Sequence, residues 1–146
     1  MKLLFIHQSF PGQYRNIINA LSAQKKHTII ALGINTPTEK IPENVQYFQY
    51  KLSQGNANGI HRLAMETETK VIRGEACARA AYKLKSQGFT PDIICAHPGW
   101  GEALFLKDIW QNSPILSYQE FYYQSEGFDY GFDPDIQGEP SWEDLA

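Results

Sequence analysis

Residues 92–102 read DIICAHPGWGE, and the order of residue types in this stretch decides the fold. Ile93, Ile94, Cys95 and Ala96 make a short unbroken apolar run with no polar alternation, the pattern of a strand covered on both faces in a parallel sheet. The run stops at His97. Pro98, Gly99, Trp100 and Gly101 follow, a loop in which glycines let a ligand approach the backbone, and then the acid Glu102. An imidazole at the end of a buried strand, facing such a loop, can donate or accept a hydrogen bond near neutral pH.

The N-terminus repeats the construction. Leu3, Leu4, Phe5 and Ile6 form an apolar run, His7 ends it, and the loop HQSFPGQ again carries Pro-Gly shortly before a helical pattern. That pattern, residues 13–24, places Ile17, Ile18, Ala20 and Leu21 on one face. A second buried strand is predicted at 28–32, and a third, nearer an edge, at 45–50. A long helix follows over 60–87, with Leu63, Thr67, Val71, Gly74, Ala78 and Ala81 along one stripe and Gly88 where a left-handed terminal residue is wanted. After the strand at 92–96 come a short helix over 102–109 and a fifth strand over 115–118.

Strands alternating with helices predict an α/β fold, a doubly wound, Rossmann-like parallel sheet forming a single domain over 1–146. In the usual strand order the first and fourth strands are neighbours where the order reverses. The loops at His7 and His97 are then expected on one rim, beyond the carboxyl ends of the strands, where such sheets bind ligands. Residues 126–146 show no periodicity and stop where a further helix and strand would complete the sheet, so the chain is expected to be part of something longer.

Composition narrows the function. A chain of 146 residues holds one core. Its 13 basic and 16 acidic residues give a net charge of -3, which removes the electrostatic footprint of a nucleic-acid binder. Cys77 and Cys95 sit inside apolar patterns without metal-ligand spacing and are expected to be buried free thiols. Four apolar residues before His7 are too few for a signal peptide, no stretch approaches the roughly 20 of a membrane span, and no glycosylation sequon occurs, so a cytoplasmic location is expected. Neither the dinucleotide glycine fingerprint, nor a phosphate-binding P-loop, nor a calcium loop is present. No cofactor and no metal are expected.

Several residues stand out as candidates, each with a plainer alternative. Gly12 and Gln13 make either an ordinary tight turn or a turn that touches a ligand. His97 either orients a ligand or is satisfied by a neighbouring carbonyl. Glu102, read as first-turn helix residue, favours the helix dipole. Trp100 is either a stacking platform or a plug between loops. From 117 to 135, Tyr118, Phe121, Tyr122, Tyr123, Phe128, Tyr130 and Phe132 mingle with Glu120, Glu126, Asp129, Asp133 and Asp135. Rings over apolar sugar faces and carboxylates accepting from hydroxyls are how polyols are recognised. Rings packing onto a sheet edge or a further domain are the alternative.

The stretches MKLLFIHQSFPGQYRNI, GFTPDIICAHPGWGEALFLKDIW and LSYQEFYYQSEGFDYGFDP together resemble the N-terminal domain of family-4 glycosyltransferases, retaining enzymes of GT-B architecture. The resemblance implies one of two Rossmann-like domains facing each other across a cleft. The N-terminal one mainly holds the acceptor; the C-terminal one holds a nucleotide-sugar donor and has no counterpart here. It implies that Gly12 and Gln13 approach the donor phosphates and acceptor, and that His97 lies near the transferred sugar as the candidate catalytic residue. His7, Gly99, Trp100, Glu102, Tyr118 and Glu120 are the further candidates for acceptor or donor binding. Many relatives carry a histidine after the fifth strand, where this chain has Gln119 and Glu120. The expected partners are a nucleotide-sugar donor, a glycan, lipid or small-molecule acceptor, and the missing domain; a membrane surface has no basic amphipathic helix to support it. Two rival readings remain: a stand-alone carbohydrate- or nucleotide-binding module, and a flavodoxin-like or deacylase-type enzyme using His97 directly.

Overall fold

The strands at 2–6 and 93–96 do pair in parallel, with Ile6 opposite Ala96, so the chain leaves both at the same end of the sheet. They belong to a computed structural model that describes residues 1–119. The sheet has five strands, β1 (Lys2–Ile6), β2 (Thr28–Gly33), β3 (Val45–Gln49), β4 (Ile93–Ala96) and β5 (Ile115–Ser117). All neighbours are parallel, and the order is β3-β2-β1-β4-β5. This is the Rossmann-like sheet expected, with β3 at an edge and the reversal of strand order between β1 and β4.

Alternate side chains of the central strands go to opposite faces, and both faces are apolar. Leu4, Ile6, Ile30, Leu32, Ile94 and Ala96 pack beneath α2 (Met65–Ser86) and α3 (Leu106–Ile109). Leu3, Phe5, Ile29, Ala31 and Cys95 pack with Tyr14 and with Ile18 of α1 (Arg15–Ala23). Cys77 and Cys95 are buried free thiols, one in each cluster.

Three expectations need correction. In α2 the second half of the expected stripe, Gly74, Ala78 and Ala81, does meet the core, together with Ile72, Ala76, Cys77 and Leu84, but Thr67 and Val71, and Leu63 just before the helix, face solvent. The small residue matters for close approach: a Cβ on Gly74 would lie 2.7 Å from the carbonyl oxygen of Gly101. In α1, Ile18 is buried but Ile17 is 51 % exposed, because it borders the apolar groove between α1 and β5. The helix predicted at 102–109 is only Leu106–Ile109, because Gly101, at φ +100°, turns the chain inward against α2 before it can coil.

The end of α2 is built as expected. Gly88 takes φ +86°, its N–H donates to the Lys85 carbonyl at 2.9 Å, and the Phe89 N–H donates to the Leu84 carbonyl at 3.0 Å. This closes the last turn while Phe89 enters the core beside Leu84. On the α1 face the described residues leave the sheet partly uncovered. An apolar groove of about 350 Å³ runs between α1 and β5, walled by Phe5, Tyr14, Ile17, Cys95, Leu116 and Tyr118. Among the described residues no helix is long and apolar enough to cross a membrane.

Candidate functional site

The pairing of β1 with β4 sets His7 and His97 side by side on the carboxyl rim, and both are buried, at 5 % and 7 % exposure. Each ring does the same local work. The backbone N–H of Ser9 donates to His7 Nδ1 at 3.1 Å, and that of Gly99 donates to His97 Nδ1 at 3.3 Å. A backbone N–H can only donate, so Nδ1 is the acceptor and the neutral imidazole carries its proton on Nε2. The Nδ1 atom of His97 is thus held by a backbone N–H.

Trp100 lies between the two loops. It stacks on His97 with centroids 4.2 Å apart and planes at 17°, and it meets His7 edge to face at 5.0 Å. Tyr14 packs edge-on to His7 at 6.2 Å and to Tyr118 at 6.0 Å, and Tyr118 lies 6.4 Å from His97. Aromatic contacts of this kind contribute roughly 1 kcal/mol each beyond the area they bury. Trp100 is therefore both plug and wall, half-buried between the loops with part of its surface open. Tyr118, whose N–H donates to the Ala96 carbonyl at 3.0 Å, is 41 % exposed at the same rim.

Glycines make room for this cluster. Gly12, at φ +47°, sits over the His7 ring, where an added Cβ would lie 2.7 Å from Nδ1. Gln13 beside it is exposed at the rim. Gly99 packs on the His97 ring, 3.1 Å from where a Cβ would stand.

Glu102 is not at a helix terminus. It is 2 % exposed, and its Oε1 accepts from the Tyr50 hydroxyl at 3.3 Å. Burial pushes its carboxyl above the usual range, opposed by its own backbone N–H, by the Arg73 guanidinium, by the Gln8 amide and by Tyr50. Burial also raises the Tyr50 phenol and the nearby Cys77 thiol. A carboxyl whose folded value is raised binds its proton more tightly in the folded chain. Its contribution to stability is whole below the unfolded value, about 4.3, and is lost as pH rises through the folded value. Relative to Glu102→Gln, the wild type is expected to lose stability as pH rises from about 4.3 toward neutrality. Urea titrations of both proteins across that range measure this, and a constant difference would contradict it.

Of the residues singled out from sequence, His7, Gly12, Gly99, His97, Trp100 and Tyr118 come together, and Gln13 flanks them. Glu102 is set behind the loop, and Glu120 lies outside the described residues, as do the aromatics and acids from 121 to 135. Tyr14, Gln8, Tyr50 and Arg73 were missed. Gln8 and Tyr50 directly follow strand-end residues and could have been found by asking what each strand delivers to the rim. Arg73, in the middle of a helix, gives no such signal. Among the described residues no three His, Cys, Asp or Glu side chains gather as metal ligands.

No curated protein matches the chain. A family profile, that of the glycosyl transferase family 4 group, matches residues 25–144.

Proposed function

The chain belongs to the glycosyl transferase family 4 group, and from that premise we propose that it is the acceptor side of a retaining enzyme which transfers a hexosyl unit from a nucleotide-sugar to a glycan, lipid or small-molecule acceptor. Residues 1–146 act as the N-terminal wall of a cleft whose other wall, a donor-binding domain, lies elsewhere in the full-length protein. The observation that carries this reading is the rim itself: two glycine-opened loops, two strand-end histidines and three aromatic rings gathered where β1 and β4 part. In parallel sheets that is the place for a ligand.

The roles follow from chemistry. With Nδ1 accepting from Gly99, His97 is held with its ring at the rim, and it serves as orienter of the sugar, not nucleophile. The open part of Trp100 and the Tyr118 ring cover apolar faces of a sugar. The bare backbone at Gly12, with Gln13, approaches donor phosphate or acceptor. In front-face retention the bond from anomeric carbon to phosphate breaks on the face where the acceptor oxygen attacks. The departing phosphate oxygen takes the acceptor's proton, so no protein base or metal is needed and catalysis rests on placement and charge stabilisation.

A panel of nucleotide-sugars offered to the full-length protein, with release of nucleoside diphosphate as readout, tests this. One donor is expected to turn over in the presence of an acceptor, and residues 1–146 alone are expected to transfer nothing. Release from no donor, with any acceptor class, would sink the proposal.

A further inference from the structure

The proposed mechanism leaves a buried carboxyl unused. Glu102 is too deep, at 2 % exposure, to meet a ligand at the rim, yet three other parts of the fold act on its carboxyl. Tyr50, the first residue after β3, donates to Oε1. Gln8, directly after His7, presents its side-chain amide, and the Arg73 guanidinium of α2 acts on the carboxyl through its charge. Glu102 itself follows the loop that carries His97, Gly99 and Trp100. Among the described residues Glu102 Oε2 and Gln8 Nε2 are both buried without an aligned hydrogen-bond partner, and the two side chains face each other. A buried acceptor and a buried donor left so close are poised to pair, since each orphaned group costs on the order of 1–3 kcal/mol.

The connections extend on each side. The Gln8 carbonyl accepts from the N–H groups of Ile34 and Asn35, at 3.1 and 2.9 Å, which ties the His7 loop to the exit of β2. The Tyr50 N–H donates to the Gly33 carbonyl at 2.9 Å, which ties the exit of β3 to β2 as well. Gly101, next to Glu102, lies against the backbone of Lys70 in α2. One carboxyl therefore joins the loops after β1, β3 and β4 to a single helix, on the side of the rim opposite the aromatic cluster.

We propose that Glu102 is a positioning residue for the transfer site: through Gln8, Tyr50 and α2 it locks the register of the two histidine loops, and so the stack of Trp100 on His97, without touching substrate. The inference deepens the proposed function, on which it rests for what the loops are for. The alternative, that Glu102 only fills space in the core, predicts no specific link between its hydrogen bonds and the rim.

The test reads the rim directly. In the full-length protein labelled with 5-fluorotryptophan, the Trp100 resonance is identified by its loss in Trp100→Phe, and the His97 ring nitrogens are followed by nitrogen-15 NMR. Glu102→Ala is expected to move the Trp100 signal toward its denatured position and to abolish the single tautomer of His97. Glu102→Gln, whose amide oxygen accepts from Tyr50 and whose NH2 donates to the Gln8 side-chain oxygen once that amide turns over, is expected to restore both signals. A folded Glu102→Ala with both signals unchanged would overturn the proposal, and so would a Glu102→Gln as disturbed as the alanine. If Glu102→Ala does not fold, Tyr50→Phe decides, a shifted Trp100 signal supporting the role and an unmoved one refuting it. No sugar donor enters either readout, so a protein without transferase activity can still pass or fail this test.

Discussion

Gly101→Ala is expected to destabilise the chain by about 3 kcal/mol or more and to detach the 97–101 loop from α2. Two costs add. The residue sits at φ +100°, where a side chain is strained by roughly 1–2 kcal/mol. A Cβ there would lie 2.7 Å from both the carbonyl carbon and the Cα of Lys70, and closer still to its carbonyl oxygen. Those atoms are helix backbone, which cannot swing aside as a side-chain tip would, so overpacking adds roughly 1–3 kcal/mol more. Gly88 provides the control. It also has positive φ, at +86°, but nothing stands within 4 Å of its would-be Cβ, so Gly88→Ala is expected to cost only about 1 kcal/mol. Urea denaturation of both variants checks the pair, and equal costs would mean that α2 does not hold the loop as closely as described.

His97→Ala is expected to lower turnover in the full-length protein by tenfold or more, roughly 1.4 kcal/mol of barrier per tenfold. The substitution removes two things at once, the Nε2–H donor and the Nδ1 acceptor that holds Gly99. His97→Asn separates them. An asparagine oxygen can accept from a backbone N–H two residues on, as asparagine does in turns, so the loop keeps its shape while the Nε2–H is lost. Both variants are expected to be slow, with the asparagine melting closer to the wild type. Steady-state rates with the donor found by screening, set beside thermal melts, give the answer. Full turnover in His97→Asn would show that His97 matters only as a loop brace.

Much of the frame could be read in advance, because a parallel strand covered on both faces must be apolar without alternation, and short unbroken apolar runs are easy to see. The runs at 3–6 and 93–96, each closed by a histidine and a Pro-Gly loop, specified two strands and the rim they share. The Gly88 terminus was legible for an equally local reason, since only glycine takes that left-handed turn without strain. The face of α2 was legible only in part. Gly74, Ala78 and Ala81 lie at the core as their small size suggested, but Leu63, Thr67 and Val71 do not, since periodicity does not say how far the sheet extends beneath the first turns of a helix.

Glu102 shows the limit most clearly. From sequence it is an acid three residues past a glycine, with the helix dipole as the natural reading; in the fold it is buried against residues 52 positions before it. Local chemistry determines which segments become strands, which turns bend, and which loops stay open to a ligand, because those depend on neighbours within a few residues. Which polar group is enclosed, and which rings of the two loops meet across the rim, were decided only when distant segments met. Those outcomes depend on desolvation and on partners that the order of residues does not place side by side.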